Sequence, residues 1–125
     1  MKKTNLLTAA ILAGAFSLSA TIVSAQKATD TMTVTGEVLD MNCYMDHGAH
    51  GAKHAMCAGT CLKNDGPVGI LTADGKVYLI VANHSNEDPY DEVRKHPAEN
   101  VQVSGTYANR GGVQALIIAA VKVSN

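Results

Sequence analysis

The sequence predicts a mainly β protein: a small five-stranded Greek-key barrel of the OB type, with a Cys/His-bearing helical insertion between strands 1 and 2. Five segments have the length and the apolar pattern of strands, and a short helix is expected between the third and fourth. Glycines lie inside the first and fourth segments, as is typical of the bulges and bends of small closed barrels. A simple β-sandwich is the alternative topology.

The first 25 residues are expected to form a secretory signal peptide. A basic Met1-Lys2-Lys3 start precedes a largely apolar or small stretch, and the small residues Val23-Ser24-Ala25 then suit signal peptidase, so cleavage is predicted after Ala25. A retained membrane anchor is the alternative, but Gly14 and the Ala-x-Ala-like exit favour cleavage. Residues 26–125 then form one small domain in the periplasm or outside the cell.

The charge balance argues against two classes of partner. Cleavage removes Lys2 and Lys3 from the 10 basic residues of the chain, which leaves the 11 acidic residues in excess. A mildly acidic domain has no electrostatic reason to bind nucleic acid or anionic lipid. No membrane association is therefore expected after signal cleavage.

The first strand is predicted over residues 31–40, where apolar and polar side chains alternate. Gly36 is expected to mark a bulge or a sharp bend. If the strand continues beyond residue 40, Met41, Cys43 and Met45 share one face. A helix is then expected over about residues 49–63. The segment Asn64-Asp65-Gly66-Pro67 ends this helix with a glycine and a proline in the usual order.

The remaining elements follow from turn and cap signals. Short strands at residues 68–71 and 77–82 form a hairpin around an Asp74-Gly75 turn. Asp88 and Pro89 are expected as the N-cap and first residue of a helix that ends near Lys95. The last two strands are predicted over residues 101–107 and 113–123, the second with Leu116, Ile117 and Ile118 buried on both faces. Because aromatic residues are few, the core is expected to consist of Val, Ile, Leu, Met and Ala.

The stretch from Met41 to Cys61 concentrates the side chains that can bind a metal. It holds all 3 cysteines of the chain, together with His47, His50 and His54 out of 5 histidines. On a helix over residues 49–63, four potential ligands recur at positions i, i+4, i+7 and i+11 and share one face. These are His50, His54, Cys57 and Cys61. Cys43 is expected to complete the ligand set from the first strand, with His50 in reserve.

The predicted function is therefore the carriage, buffering or sensing of a transition metal. Thiolate with imidazole suits zinc, whereas thiolate with the nearby methionines Met41, Met45 and Met56 suits copper(I). The spacing lacks the Cys-x-x-Cys pairs of zinc knuckles and thioredoxin-like proteins, and it lacks the Cys-x-x-Cys-His of c-type haem attachment. Nothing resembles a catalytic triad or a pair of catalytic carboxylates, so binding is favoured over catalysis.

Two other function classes stay open. Cys43 can form a disulfide with Cys57 or Cys61, which would hold the insertion of a metal-free binding module and leave one spare thiol. Alternatively, one cysteine beside an imidazole can act as the reactive thiol of an oxidoreductase. Cys57 and Cys61 can also be simple buried apolar side chains.

Several short motifs resemble those of a set of small exported bacterial proteins. The most specific is Cys43-Tyr44 followed by His54-Ala55-x-Cys57-Ala58-x-x-x-Cys61, and residues 67–69 and 74–79 continue the similarity. The resemblance covers most of the chain after the signal peptide. It implies an exported small β-domain with the Cys/His segment as its signature, and it implies no particular activity.

Overall fold

The computed structural model describes residues 30–124, so the predicted signal peptide lies outside the described residues. The described chain contains five strands, a 3-10 turn at Ala52–His54, and three helices. The strands are β1 (Thr31–Asp40), β2 (Val68–Thr72), β3 (Val77–Val81), β4 (Asn100–Arg110) and β5 (Val113–Val123). The helices are α1 (Met41–His47), α2 (Ala55–Lys63) and α3 (Asp88–Val93).

The strands close into a barrel in the order β1-β2-β3-β5-β4, which confirms the predicted fold class. All neighbours are antiparallel except β3 and β5, which run parallel over Leu79–Val81 and Ala115–Ile117. α1 and α2 form the insertion between β1 and β2, and α3 connects β3 to β4. Both helical segments thus occupy the predicted places in the chain.

The barrel interior is packed mainly by valine, isoleucine and leucine, as the composition predicts. Leu62 from α2 and Val93 from α3 are fully buried in this core, so both helices contribute to the barrel interior. Tyr78 is also buried there, which adds an aromatic ring to the predicted composition. The strand residues of the core are Val34, Val38, Val68, Ile70, Tyr78, Ile80, Val101, Val103, Leu116 and Ile118. In β5, Ile117 is only half-buried, so burial on both faces is incomplete.

The glycines inside β1 and β4, Gly36 and Gly105, both serve close packing, and only Gly105 lies at a bulge. Gly36 pairs in register with Thr72 and Val101, and a Cβ atom there would collide with the carbonyl oxygen of Leu71. Of the bulge or sharp bend predicted at Gly36, the bulge is therefore wrong. A register shift lies instead between Ser104 and Gly105, in the pairing of β4 with β5.

The extension of the first strand beyond residue 40 is also incorrect, because Asp40 begins a helix. Its carboxylate accepts hydrogen bonds from the backbone N–H groups of Asn42 and Cys43, as an N-cap does. α1 then ends at Gly48, which has the left-handed conformation with φ 71°. Residues 41–45 therefore follow a helix and do not present alternate side chains on one strand face.

The predicted helix over residues 49–63 is shorter than expected and starts later. Gly51 has φ 83° and ψ 173°, which no α-helix accommodates, so the chain makes the 3-10 turn before α2 begins at Ala55. The predicted end is confirmed, with Asn64 as C-cap. His50 therefore lies before the helix. The predicted arrangement, in which His50 shares one helix face with His54, Cys57 and Cys61, is not formed.

α3 begins at Asp88, one residue before the predicted Pro89, so Glu87 takes the N-cap position; the helix ends at Val93, before Lys95. Arg94 follows the helix and its guanidinium donates to the carbonyl oxygen of Leu62 and to the Asp65 carboxylate, 2.8 Å away. This side chain joins α3 to the C-terminal end of α2. Within residues 30–124, none of the helices has both the length and the apolar character needed to cross a bilayer.

Candidate metal centre

Asp40 is the buried carboxylate around which the insertion is arranged. Its side chain lies where β1 passes into α1 and the residue is only 1% exposed, the one buried polar or charged residue found among residues 30–124. The carboxylate accepts backbone N–H groups from Asn42 at 3.1 Å and Cys43 at 3.4 Å. The Cys43 and Cys61 thiols supply further hydrogen bonds.

These hydrogen bonds keep Asp40 ionised despite its burial. Burial is the largest single influence and acts to raise the pKa of Asp40, but the hydrogen bonds from Cys43, Asn42 and Cys61 together lower that pKa below its ordinary 3.8. A carboxylate that is buried and ionised favours a cation beside it. The local charge therefore suits a metal ion.

Cys43 and Cys61 reach the same carboxylate from different helices. Cys43 lies in the first turn of α1, and Cys61 lies near the end of α2. The hydrogen bond to Asp40 is the main cause that raises the pKa of Cys43 to about 11, and the same contact is the main cause of the raised pKa of Cys61. Both groups are neutral thiols at pH 7 in the metal-free protein.

His54 adds an imidazole between the two helices. One oxygen of Asp40, the Sγ atom of Cys43 and one ring nitrogen of His54 lie within 4.8 Å of one another. In the described part of the chain, no other group of three or more His, Cys, Asp or Glu side chains meets this criterion. The three residues form what we call the Asp40 cluster, and Cys61 borders it through its bond to Asp40.

The Nε2 atom of His54 is buried and has no hydrogen-bond partner among the described residues. Such an unsatisfied polar atom is uncommon in folded proteins and calls for an explanation. The other contact of this ring is with His47, whose ring lies edge-on with centroids 6.4 Å apart. A bound cation would give the imidazole the partner that the protein does not supply.

Two of the predicted ligands, Cys57 and His50, neither belong to the Asp40 cluster nor border it. Cys57 is exposed, in the first turns of α2. His50 faces Glu37 instead, with its Nδ1 atom 3.6 Å from a carboxylate oxygen, and Glu37 also accepts the backbone N–H of Gly51. The predicted set is thus divided: Cys43 and His54 belong to the Asp40 cluster, Cys61 borders it through Asp40, and Cys57 and His50 lie elsewhere on the insertion.

Asp40 is the site residue that the sequence analysis missed. The signal was present, because aspartate immediately before a helical segment is a favoured N-cap. Assigning Asp40 to the end of the first strand, with a possible continuation of that strand to Met45, hid this signal. The donor set is consequently oxygen, nitrogen and sulfur, in place of sulfur and nitrogen alone.

The methionines that favoured copper do not gather at the cluster. The Sδ atom of Met41 packs against Gly69 of β2. Met45 is 72% exposed and Met56 is 85% exposed. The three cysteines are free thiols.

Fold and site together define the class of protein as a five-stranded barrel of OB topology whose insertion carries an Asp/Cys/His cluster able to hold a metal ion. Comparison with protein families, with curated proteins and with solved structures gives no significant match. The functional argument therefore rests on the geometry of this site.

Proposed function

We propose that this protein is an exported transition-metal-binding protein that carries, buffers or senses zinc. The observation that carries the proposal is the buried, unpartnered Nε2 atom of His54, in a side chain that lies beside the ionised Asp40 carboxylate and the Cys43 thiol. Two thiolates, one imidazole and one carboxylate are four ligands of the kinds that tetrahedral zinc accepts. Cys43, Cys61, His54 and Asp40 would supply them.

Copper(I) is the second candidate metal. Thiolates are its preferred ligands, and Cys43 and Cys61 both reach Asp40. A carboxylate is a harder ligand that suits zinc better, and the exposed methionines Met45 and Met56 give no support for a sulfur-only site. Zinc is therefore the preferred ion.

Export is part of the proposal and is supported by the N-terminal pattern of residues 1–25. A periplasmic or secreted protein meets its metal outside the reducing cytoplasm, where thiols form disulfides readily. A resident ion would protect Cys43 and Cys61 from oxidation.

The competing function is a disulfide-held binding module. Cys43 and Cys61 both lie beside the Asp40 carboxylate, so they are the pair better placed to form the bond. A thiol oxidoreductase is less well supported, because a nucleophilic cysteine needs a lowered pKa and both of these pKa values are raised.

Elemental analysis of protein exported to the periplasm, purified without a histidine tag or chelator, tests the proposal. We expect near-stoichiometric zinc and, after denaturation, three titratable thiols. Metal-free protein that has lost two thiols to a disulfide, and that takes up neither zinc nor copper(I) after reduction, would make the binding module the better assignment.

The ligand set is tested by competition against a chromophoric zinc chelator. His54→Ala should weaken zinc binding, because it removes the only imidazole of the Asp40 cluster. His50→Ala is the matched control, since it removes the same type of side chain from the same insertion but at the contact with Glu37. Equal affinities for the two variants would contradict the assignment of His54 as a ligand.

A further inference from the structure

Cys57 lies outside the Asp40 cluster, about one helical turn from Cys61, which borders that cluster. It precedes Cys61 by four residues in α2, so the two side chains share a face of the helix. His54 lies three residues before Cys57, at the start of the same helix. Cys57 is exposed, whereas Cys61 and His54 are half-buried. The thiol of Cys57 therefore lies on the solvent side of a row of three side chains, and the half-buried Cys61 and His54 are the other two members of this row.

Cys57 and Cys61 are separated by about one turn of α2. An ion bound by the Cys57 thiolate would therefore lie close to the next sulfur of the row. This helical spacing is a second observation beyond the exposure of the Cys57 thiol.

We propose that Cys57 is the exchange ligand through which zinc enters and leaves the Asp40 cluster. This inference rests on the proposed function. The partner that it implies is a zinc donor or acceptor whose bound ion can accept a thiolate as an additional ligand. Cys57 serves as a transient ligand, and Cys43, Cys61, His54 and Asp40 serve as the resident ones.

The exchange conserves charge and oxidation state. The Cys57 thiolate binds the zinc ion of the donor complex and displaces one donor ligand. Cys61 and then Cys43 bind the ion as their thiols release two protons to solvent, and the remaining donor ligands and Cys57 dissociate. Zinc stays divalent throughout, so the transfer needs neither an oxidant nor a reductant.

The adjacent Met56 provides a matched control. It is a soft ligand, and at 85% exposed it is freely accessible. One residue along an α-helix is a rotation of about 100°, so Met56 points away from the row of Cys57 and Cys61. It lines a groove of 810 Å³ between α2 and α3, together with Pro97 and Arg94. If accessibility and ligand softness were sufficient, Met56 would also take part in zinc exchange. If alignment with Cys61 is required, Met56 takes no part.

The test is a stopped-flow measurement of zinc transfer to reduced, metal-free protein from the zinc complex of the chromophore 4-(2-pyridylazo)resorcinol. For Cys57→Ser, we expect transfer in both directions to slow by about tenfold while the equilibrium constant stays unchanged. Met56→Leu should transfer zinc at the rate of the unmodified protein. Circular dichroism of each variant verifies that the barrel is folded.

The outcomes separate the inference from the proposed function. Weaker zinc binding by Cys57→Ser with an unchanged association rate would identify Cys57 as a resident ligand and overturn its exchange role. Unchanged rates in Cys57→Ser, or equal slowing in Met56→Leu, would also overturn it. In each of these cases the protein still binds zinc, so the proposed function stands. Failure of the unmodified protein to take up zinc would overturn both.

Discussion

The carboxylate of Asp40 accepts hydrogen bonds from both the backbone N–H and the thiol of Cys43. Asp40 therefore caps α1, the helix that carries the candidate ligand Cys43. The same carboxylate also accepts a hydrogen bond from the thiol proton that Cys43 must lose before it can bind a metal. Substitutions of Asp40 can separate its role as a helix cap from its proposed role as a metal ligand.

Asp40→Asn and Asp40→Ala form an informative pair. Asparagine is as good an N-cap as aspartate, so Asp40→Asn should fold with α1 intact but bind zinc more weakly, because the anionic ligand is lost. Asp40→Ala removes the cap as well and should lower the free energy of unfolding by about 1 kcal/mol or more. Urea denaturation of the metal-free variants, followed by zinc competition, measures the two effects. Equal zinc affinity in Asp40→Asn and the unmodified protein would remove Asp40 from the ligand set.

Zinc uptake should release protons from Cys43 and Cys61. Both thiols have raised pKa values, Cys43 to about 11, so both are protonated at pH 7 before the ion binds. Titration calorimetry in buffers of different ionisation enthalpy should give about two protons released per zinc at neutral pH. Cys61→Ser should reduce this number to about one. Release of two protons by Cys61→Ser would show that another thiol, such as Cys57, replaces Cys61 as a ligand.

His96 should stabilise the protein in a pH-dependent way. Its Nε2 lies 3.1 Å from Glu92 and its Nδ1 lies 3.0 Å from Glu99, and the ring is only 19% exposed. Burial is the largest influence and acts to lower the pKa of His96, but the two carboxylates together raise that pKa above its ordinary 6.5. The stabilisation is therefore complete below the unfolded-state pKa of 6.5 and is lost as the pH rises through the folded-state pKa.

Urea denaturation of His96→Ala should show a larger loss of stability at about pH 5 than at about pH 8. His84→Ala provides the control, because His84 is exposed and forms no ion pair with another described residue. A loss of stability in His96→Ala that is equal at both pH values would argue against the two ion pairs.

Two glycine substitutions should change stability in opposite directions. Gly36→Ala places a Cβ atom against the carbonyl oxygen of Leu71 and should destabilise the barrel by about 1–3 kcal/mol. Gly59→Ala lies within α2, and its Cβ would meet only Pro97 at 3.4 Å. There, alanine should raise stability by up to about 1 kcal/mol. The denaturant midpoint of each variant measures the change in stability. The Gly36→Ala value tests the close approach of β1 to β2, and Gly59→Ala is the comparison at a glycine with space for a Cβ atom.

The sequence was sufficient to predict the barrel because its signals are local. Alternation in β1, the Asp74-Gly75 turn and the proline at the start of α3 each depend on neighbouring residues. The site was only partly predictable. Residue type was enough to single out Cys43, Cys61 and His54 as candidates, but their approach to Asp40 depends on how α1 and α2 are placed relative to β1.

His50 illustrates the limit of periodicity. Its spacing from His54 matches a helix face, yet the backbone at Gly51 interrupts any helix between them. Glu37, from the middle of β1, then accepts the N–H of Gly51 and fixes this turn against the barrel. That contact joins residues that are distant in the sequence, so no local pattern contains it.

Leu62, which follows Cys61 directly, is 0% exposed in the barrel core, and its carbonyl oxygen accepts the Arg94 side chain. The position of α2, and with it that of Cys61, consequently depends on the barrel, unlike in a zinc finger, where a short peptide folds around its metal. A synthetic peptide that contains every proposed ligand would lack the barrel core against which Leu62 packs and which sets the position of α2. Transplanting the site into another protein would require that protein to offer a barrel with room for Leu62.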